Sequence, residues 1–252
     1  MPEERRPEEP VPEESGSDEP MPGEFMSGES VRLVRQMNAY YESRAPLHDI
    51  YMGYHSVGET EALLAPIIRW AETYVAGRDV LEVACGTGNW TQVLCLRAAH
   101  VTATDVSPAS IKLARAKPYP AGNVEFEVAD AYDLDLPGRV FDAAFMSDFW
   151  SHIPRKLIPV FLQSLKARLV PGSKVAIVDM LPTENLTLLG SRRDAGGNFI
   201  HLRKLPRGGE YEVVKNFPEE DELRRALAPV GDHVDYRVHK GLRRWMLGFT
   251  MR

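Results

Sequence analysis

Between residues 79 and 180 the chain alternates short apolar segments with helix-forming ones, and this alternation constrains the fold more than any other feature. The apolar segments predict strands at Asp79–Ala84, His100–Asp105, Val124–Ala129, Phe141–Met146 and Lys174–Met180. Helices are predicted between them at Asn89–Ala98, Pro108–Lys117 and Pro154–Leu169. Strands that are joined through helices run parallel and are covered on both faces. The segment therefore predicts an α/β fold with a mostly parallel sheet.

The segments on either side of this core have different patterns. Two helices are predicted before it, at Ser30–Ser43 and Gly58–Tyr74, and Pro66 is expected to kink the second. After it, Phe199–Leu205 and Glu210–Phe217 are expected to pair as an inserted hairpin, followed by a short helix that opens at residues 218–221. Two last strands, His233–His239 and Arg244–Met251, are expected to form an antiparallel C-terminal pair.

The N-terminal residues have a composition unlike the rest of the chain. Residues 1–24 carry a net charge of −7, whereas the whole chain of 252 residues carries −6, so the remainder is close to neutral. Residues 1–29 are rich in Glu, Pro, Ser and Gly and have few apolar side chains to offset the entropy of ordering. We therefore expect a disordered acidic tail at 1–29 and one folded domain at 30–252.

A glycine-containing turn follows the first strand and reads Glu82-Val83-Ala84-Cys85-Gly86-Thr87-Gly88. Glycines allow a tight turn and let a ligand lie directly against the backbone. In doubly wound sheets, ligands bind at the carboxyl ends of the strands near this position. The turn therefore predicts a binding site, and a dinucleotide, a nucleotide-sugar or an adenosyl amino acid are its candidate ligands.

Three residues distinguish between these ligands. A dinucleotide fingerprint needs a small third residue where this chain has Thr91. The carboxylate of Glu82 repels a pyrophosphate, but it suits the ammonium and sulfonium groups of S-adenosylmethionine. Asp105, at the end of the second strand, can accept hydrogen bonds from both hydroxyls of a ribose. An adenosyl amino acid is therefore favoured over NAD, and an NAD-dependent oxidoreductase is kept as the less favoured alternative.

With these motifs, and with the later segment Val170-Pro171-Gly172-Ser173-Lys174-Val175-Ala176-Ile177-Val178-Asp179, residues 30–252 resemble the class I S-adenosylmethionine-dependent methyltransferases. The resemblance implies a Rossmann-like, seven-stranded sheet in the order 3-2-1-4-5-7-6. In that family the turn reads acidic-x-Gly-x-Gly-x-Gly. Ala84 stands at the first glycine position, which suggests that residue 84 needs no positive φ.

The resemblance also assigns cofactor-binding residues. Gly86 and Gly88 are expected along the amino-acid half of the cofactor, and Asp105 at the ribose. Val106, Asp130 and Ala131 are expected at the adenine. The remaining predicted contacts are Glu82, Ala84 and Ser147 near the methionine end, and Tyr41 and Arg44 on an N-terminal helical lid, where Arg44 can bind the methionine carboxylate in a bidentate manner.

The acceptor side is less well marked. His152 is the candidate general base, because it follows the fourth strand and histidine titrates near neutral pH. Phe149 and Trp150 are candidates for an aromatic wall over the methyl group, or for core packing. His201, Arg203 and Lys204 on the predicted hairpin are expected near the acceptor mouth, where they would suit an acidic or phosphorylated acceptor, or they serve only as solubilising charges.

The sequence also limits the partners that we expect. The Asn- or Asp-Pro-Pro-aromatic motif of nucleic-acid amino methyltransferases is absent after the fourth strand, so a small-molecule acceptor is favoured over nucleic acid. No zinc-type cluster is present, and no apolar run approaches the roughly 18 residues of a membrane span. We expect a cytoplasmic enzyme without a metal and without a membrane partner, for which a homodimer is one assembly. A catalytically silent cofactor-binding subunit remains the non-enzyme alternative.

Overall fold

A computed structural model describes residues 28–53, 56–182, 191–206 and 208–252. The predicted tail at 1–29 lies almost wholly outside the described residues. Gly28 and Glu29 are described, and Glu29 begins the first helix. The division of the chain into a tail at 1–29 and one domain at 30–252 stays a prediction.

A seven-stranded sheet forms the centre of the protein and confirms the predicted fold class. Its strands are β1 (Asp79–Val83), β2 (His100–Asp105), β3 (Val124–Val128), β4 (Phe141–Ser147), β5 (Leu169–Met180), β9 (Gly231–His239) and β10 (Arg244–Met251). They lie in the order β3-β2-β1-β4-β5-β10-β9. The pairs among β3, β2, β1, β4 and β5 are parallel, and β10 pairs antiparallel with both β5 and β9.

Helices cover both faces of this sheet, because consecutive buried residues of the central strands point to opposite faces. The helices are α1 (Glu29–Arg44), α2 (His48–Met52), α3 (Val57–Val75), α4 (Asn89–Leu94), α5 (Pro108–Arg115), α6 (Ile158–Lys166) and α7 (Glu220–Leu227). Val80 of β1 packs on one face of the sheet, in a core with α3, α4 and α5. Leu81 of β1 packs on the other face, in a core with α1, α6 and α7. Helix α3 continues through Pro66 without interruption.

One sequence prediction of the local structure is wrong. The segment Pro154–Leu169 is not one helix: a 3₁₀ turn at Arg155–Leu157 precedes α6, and Leu169 already begins β5. The apolar residues of this segment do not distinguish a helix end from a buried strand start. The predicted hairpin is confirmed, because β7 (Phe199–Lys204) and β8 (Glu210–Val214) pair antiparallel, and a further strand, β6 (Ser191–Arg193), extends it to a three-stranded sheet in the order β6-β7-β8.

The small sheet and α1 together form a second layer above the carboxyl ends of the parallel strands. Arg32 on α1 forms an ion pair with Glu212 on β8 at 2.5 Å. Tyr40 on α1 contacts Tyr211 on β8, with ring centroids 5.8 Å apart. This layer encloses the region where the sequence predicts a ligand. Among the described residues, no helix is long and apolar enough to span a bilayer.

Candidate active site

A cavity of about 790 Å³ lies between the carboxyl edge of the parallel strands and the layer formed by α1 and β7. One wall, here called the sheet wall, consists of the residues that follow β1, β2, β3 and β4. The opposite wall, here called the lid wall, consists of residues from α1, α2 and β7. The sheet wall includes Glu82, Ala84, Gly86, Asp105, Val106, Asp130, Ala131, Ser147 and Asp148, and the lid wall includes Tyr41, Arg44, His48, Tyr51, Leu202 and Arg203.

Asp105 is fixed at the centre of the sheet wall by backbone groups. Its two carboxylate oxygens accept hydrogen bonds from the backbone N–H groups of Gly86 and Ser107, each at 2.8 Å. A carboxylate has about four acceptor positions, so each oxygen retains one for a ligand hydroxyl. Burial raises the pKa of this carboxyl group, and the two backbone donors lower it. Asp105 is therefore oriented to accept both hydroxyls of a ribose.

The turn after β1 has a conformation that the sequence did not predict. Ala84 has a φ of +56°, so the expectation that residue 84 needs no positive φ is wrong. An L-residue in the left-handed region is strained, by roughly 1–3 kcal/mol. The reason is the tight return of the chain toward β2, where the Cys85 N–H donates to the Thr104 carbonyl at 2.8 Å. Glycine at this position would adopt the same φ without strain.

The two glycines of the turn have different environments. Gly86 lines the cavity and has a φ of +56°. Gly88 is not among the lining residues, although the sequence predicts it as a cofactor contact. A Cβ at Gly88 would lie 3.0 Å from the Ala114 Cβ of α5 and 2.5 Å from the Tyr119 hydroxyl. Gly88 therefore permits the close approach of α4 and α5. Of the two glycines predicted as cofactor contacts, Gly86 lines the cavity and Gly88 does not.

Glu82 reaches the cavity from within β1 but is almost completely buried, with 2% of its surface exposed. It accepts a hydrogen bond of 2.6 Å from the Thr91 hydroxyl. Burial raises its pKa to about 8, and the nearby Asp105 adds to this. The side chain is therefore mostly protonated at neutral pH in this structure, and a bound cation beside it would favour its ionised form. Thr91, where a dinucleotide site has a small residue, holds this carboxyl in place.

The predicted adenine contacts lie together at one end of the cavity. Val106, Asp130 and Ala131 all line it, next to Asp105. One Asp130 oxygen accepts a hydrogen bond from the Tyr132 N–H at 2.9 Å. The other oxygen has no hydrogen bond to a described residue, so it can accept one from an amino group.

The lid wall carries Arg44 in an aromatic environment. Its guanidinium lies over the rings of Tyr51, Tyr40 and Tyr41, with centroid distances of 5.0, 5.8 and 5.9 Å. Among the described residues it forms no ion pair with a carboxylate. A half-buried guanidinium that is held by rings and lacks an anion is a suitable site for a ligand carboxylate.

Polar side chains connect the lid wall to the loops at the carboxyl edge of the parallel strands. Asp49 on α2 forms an ion pair of 2.7 Å with Lys117 and accepts hydrogen bonds from Thr87 and Asn89 at 2.5 and 2.8 Å. The Ser107 hydroxyl donates to the Glu42 carboxylate of α1. These contacts tie both lid helices to the loops after β1 and β2. The lid residues His48, Asp49 and Tyr51 were not predicted as site residues, because only the folded arrangement brings them to the loops.

His152 is half-buried, lines the cavity and lies next to Tyr41. Its Nδ1 lies 2.6 Å from the Val214 carbonyl, and its Nε2 lies 2.9 Å from the Tyr41 hydroxyl. Because a carbonyl only accepts, Nδ1 carries the proton and Nε2 accepts from the tyrosine. Burial lowers the pKa of His152 to about 3, and the Lys215 ammonium contributes. A neutral, weakly basic imidazole that already accepts a hydrogen bond is better suited to hold Tyr41 than to remove a substrate proton.

Asp148 follows β4 directly and lines the cavity in a strained conformation, with a φ of +55°. Its Oδ2 lies 3.4 Å from the Arg244 guanidinium and 3.3 Å from the Ser147 hydroxyl. Its Oδ1 is buried and has no hydrogen-bond partner among the described residues. Burial and the neighbouring Asp179 raise its pKa, although Arg244 opposes this.

The remaining acceptor-side predictions divide into two groups. Phe149, Arg203 and Lys204 line the cavity, whereas Trp150 is only 2% exposed and packs in the core against Phe161. The aromatic-wall role is therefore left to Phe149. His201 is buried and does not line the cavity. No group of three or more potential metal ligands is present among the described residues.

Known proteins share both the sequence pattern and the fold. A profile of the family described as "methyltransferase domain" matches residues 80–172. A ubiquinone biosynthesis O-methyltransferase from Azotobacter vinelandii is 34% identical over 190 residues, which are 72% of this chain and 78% of that protein. The O-methyltransferase rstn1 from Aspergillus nomiae is 33% identical over 67% of this chain and 72% of its own. The chain belongs to the class I S-adenosylmethionine-dependent methyltransferases.

Membership in this family confirms the predicted resemblance and cofactor class and removes the oxidoreductase alternative. A solved structure of the DhpI–SAH complex superposes on this methyltransferase with a TM-score of 0.67 and 27% identity, over 90% of this chain and 98% of that one. Several other curated methyltransferases match the chain over only 39% to 63% of their own length.

Proposed function

We propose that this protein transfers a methyl group from S-adenosylmethionine to a small-molecule acceptor, and that the cavity between the sheet wall and the lid wall is the active site. The observation that carries the proposal is Asp105, whose two oxygens are oriented by backbone donors toward an enclosed cavity. The cavity volume of about 790 Å³ falls in the range of small-molecule sites, about 300–1,000 Å³.

The cofactor fits the residues of both walls. Asp105 holds the ribose, and Val106, Asp130 and Ala131 hold the adenine. The methionine part lies along Ala84 and Gly86 toward Ser147, with Glu82 near its positive groups. Its carboxylate meets Arg44, and Tyr41 covers it from the lid. When bound, the cofactor supplies a methyl group activated by a sulfonium.

Asp148 is the proposed proton acceptor for the acceptor molecule. It lies one residue beyond Ser147, where the methyl group is expected, and its Oδ1 has no hydrogen-bond partner among the residues that the structure describes. A raised pKa makes a carboxylate a stronger base at neutral pH, which suits a group that removes a proton during transfer. His152 then has an indirect role, because it positions Tyr41 against the ligand.

Calorimetric binding tests the cofactor site. S-adenosylmethionine and S-adenosylhomocysteine should bind, NAD should not, and Asp105→Ala should weaken binding at least tenfold, which is about 1.4 kcal/mol. Asp221→Ala, an exposed carboxylate of α7, is the matched control and should leave binding unchanged. Loss of binding in both variants, or preference for NAD, would contradict the proposal. Binding without turnover of any acceptor, restored by a second protein, would indicate the silent-subunit alternative.

We also propose a cytoplasmic location, a homodimer as one assembly, and no nucleic-acid or membrane partner. Both cysteines are buried and free, which suits a reducing compartment. Size-exclusion chromatography with light scattering, at protein concentrations above and below micromolar, measures the assembly directly. A monomer at all concentrations would exclude the homodimer.

A further inference from the structure

The charges of the cavity are separated between its two walls. The carboxyl groups that line the cavity lie on the sheet wall and are those of Glu82, Asp105, Asp130 and Asp148. The basic groups that line the cavity are Arg44, Arg203 and Lys204 on the lid wall, and Lys215 directly after β8. A positively charged cofactor suits the first wall. The second wall faces the space that remains for the acceptor.

Two of the four basic groups are already neutralised within the protein. Lys215 lies 3.5 Å from the buried carboxylate of Asp179 and donates to Ser151 at 2.7 Å. Lys204 forms an ion pair with Glu210 across the β7–β8 turn. Neither of these two ammonium groups therefore requires a ligand anion.

Arg44 and Arg203 differ from the two lysines. Among the described residues, neither has a carboxylate partner within ion-pair distance, and Arg203 has no hydrogen bond to a protein acceptor either. Arg203 is half-buried on β7 and lies close enough to Tyr41 and His152 to act on their ionisation. A desolvated guanidinium without a counter-charge costs free energy, which a bound anion recovers.

We infer that the acceptor of the proposed methyl transfer carries an anionic group, a carboxylate or a phosphoryl group, and that Arg203 binds this group at the lid wall. Arg44 is assigned to the cofactor carboxylate by its position among the lid tyrosines, so Arg203 remains as the cation for the acceptor. The inference rests on the proposed function. Five N–H donors in a fixed plane let arginine bind either oxyanion through two hydrogen bonds.

This arrangement gives the acceptor two fixed ends. The anionic group is held by Arg203, and the nucleophilic O–H or N–H lies at Asp148 on the opposite wall. The nucleophile's lone pair forms the bond to the methyl carbon as the carbon–sulfur bond breaks and its electron pair stays on sulfur. The proton of the nucleophile passes to the Asp148 carboxylate. The sulfonium charge is lost in this step, and the anionic handle is unchanged.

Anion binding can be tested before the acceptor is known. Protein saturated with S-adenosylhomocysteine is titrated calorimetrically with inorganic phosphate and, separately, with acetate, at ionic strength held constant with sodium chloride. The inference predicts saturable binding of at least one of the two anions. Arg203→Gln should weaken it at least tenfold and Arg203→Lys less, while Arg225→Gln, an exposed arginine of α7, should leave it unchanged.

Each outcome decides between the two proposals. Saturable S-adenosylhomocysteine binding with no saturable anion binding, or anion binding unaffected by Arg203→Gln, would overturn the inference and leave the proposed function intact. Failure of S-adenosylhomocysteine itself to bind would contradict the proposed function instead. The preference between phosphate and acetate identifies which oxyanion the acceptor carries.

A panel of paired acceptors extends the test to turnover. Each pair consists of a hydroxy or amino compound with a carboxylate or phosphate ester and its neutral amide or methyl ester, assayed with radiolabelled cofactor. Methylation of the anionic members, with a KM that rises at least tenfold in Arg203→Gln and a nearly constant kcat, supports the inference. Equal methylation of the neutral members would overturn it.

Discussion

The two walls of the cavity are built in different ways. On the sheet wall, Asp105 is held by backbone N–H groups from residues within twenty positions of it along the chain. On the lid wall, Tyr41 is held by the side chain of His152, which is 111 residues away. The sheet wall is thus a property of strand ends and one turn, and the lid wall is a property of long-range side-chain contacts. We expect changes to the first wall to affect chemistry and cofactor binding, and changes to the second to affect closure.

The largest effect is expected at the end of β4. Asp148→Asn keeps the shape of the side chain, and asparagine tolerates the left-handed backbone of this position. If Asp148 removes a proton, kcat should fall by about 10²–10⁴, and S-adenosylhomocysteine affinity should change little. Rapid-quench or steady-state assays of methyl transfer measure this. An unchanged kcat would remove Asp148 from the mechanism.

The pH dependence of kcat in the wild type and in Asp148→Asn tests whether Asp148 is the proton acceptor. Only the ionised carboxylate accepts a proton, so the wild-type kcat should rise with pH through the raised pKa of Asp148. Asp148→Asn should give a profile that lacks this rise. Persistence of the rise in the variant would assign it to another group.

A stability effect is expected from Glu82 on the same wall. Burial raises its pKa in the folded protein to about 8, from the usual glutamate value of 4.5. The stabilisation of the folded protein by this group is therefore fully present below pH 4.5 and is lost as the pH rises through about 8. Within this window the free energy of unfolding should fall by up to about 1.4 kcal/mol per pH unit from this group. Glu82→Gln should remove that slope in urea titrations.

Glu127→Gln is the matched control for this experiment. Glu127 is exposed on β3, away from the cavity. The slope of the unfolding free energy against pH should be the same in this variant as in the wild type. A Glu82→Gln slope that also equals the wild type would show that Glu82 is ionised in the folded protein at neutral pH.

A smaller effect is expected at the lid wall. Tyr41→Phe removes the donor to His152 Nε2 and leaves a buried acceptor unsatisfied, at a cost of about 1–3 kcal/mol. Because the lid should then open more readily, cofactor affinity should fall several-fold, mainly through faster dissociation. Stopped-flow fluorescence measures that rate. Tyr40→Phe, the neighbouring residue on α1, is the control, and an equal effect there would contradict the role of the Tyr41–His152 hydrogen bond.

The smallest effect is expected in the turn of the sheet wall. Ala84→Gly removes the Cβ from a left-handed residue, and this gain is partly offset by the greater freedom of the unfolded chain. We expect a stability that is equal to the wild type or up to about 1 kcal/mol higher. Ala62→Gly on the exposed face of α3 should instead destabilise by about 1 kcal/mol. A comparable loss in both variants would show that residue 84 is not strained.

The same contrast explains what the sequence could predict. Asp105, Glu82 and Gly86 were predicted because they occupy fixed positions relative to a strand end, and the strand order was predicted from the resemblance to the methyltransferase family. The φ of Ala84 was not predictable from residue size, since the path of the chain determines it. Strand β6 was missed because Ser191–Arg193 has no apolar alternation.

The lid wall and the acceptor side were predicted less completely, for a physical reason. Arg203 was placed near the acceptor by its position on a predicted hairpin, but its lack of an anionic partner is visible only in the folded structure. His152 was predicted as a base from its position alone, whereas its protonation follows from Val214 and Tyr41, which lie far away in the sequence. Trp150 and Phe149 are neighbours, and only the 3₁₀ turn at Trp150–His152 separates the buried ring from the cavity ring.

The most direct test of the two-walled site is an experimental structure of the protein with S-adenosylhomocysteine. We expect ribose hydroxyls within hydrogen-bond distance of both Asp105 oxygens, and the homocysteine carboxylate at the Arg44 guanidinium. The unfilled part of the cavity should lie between Asp148 and Arg203. An adenosyl group bound elsewhere, or a carboxylate directed away from the lid, would contradict this arrangement.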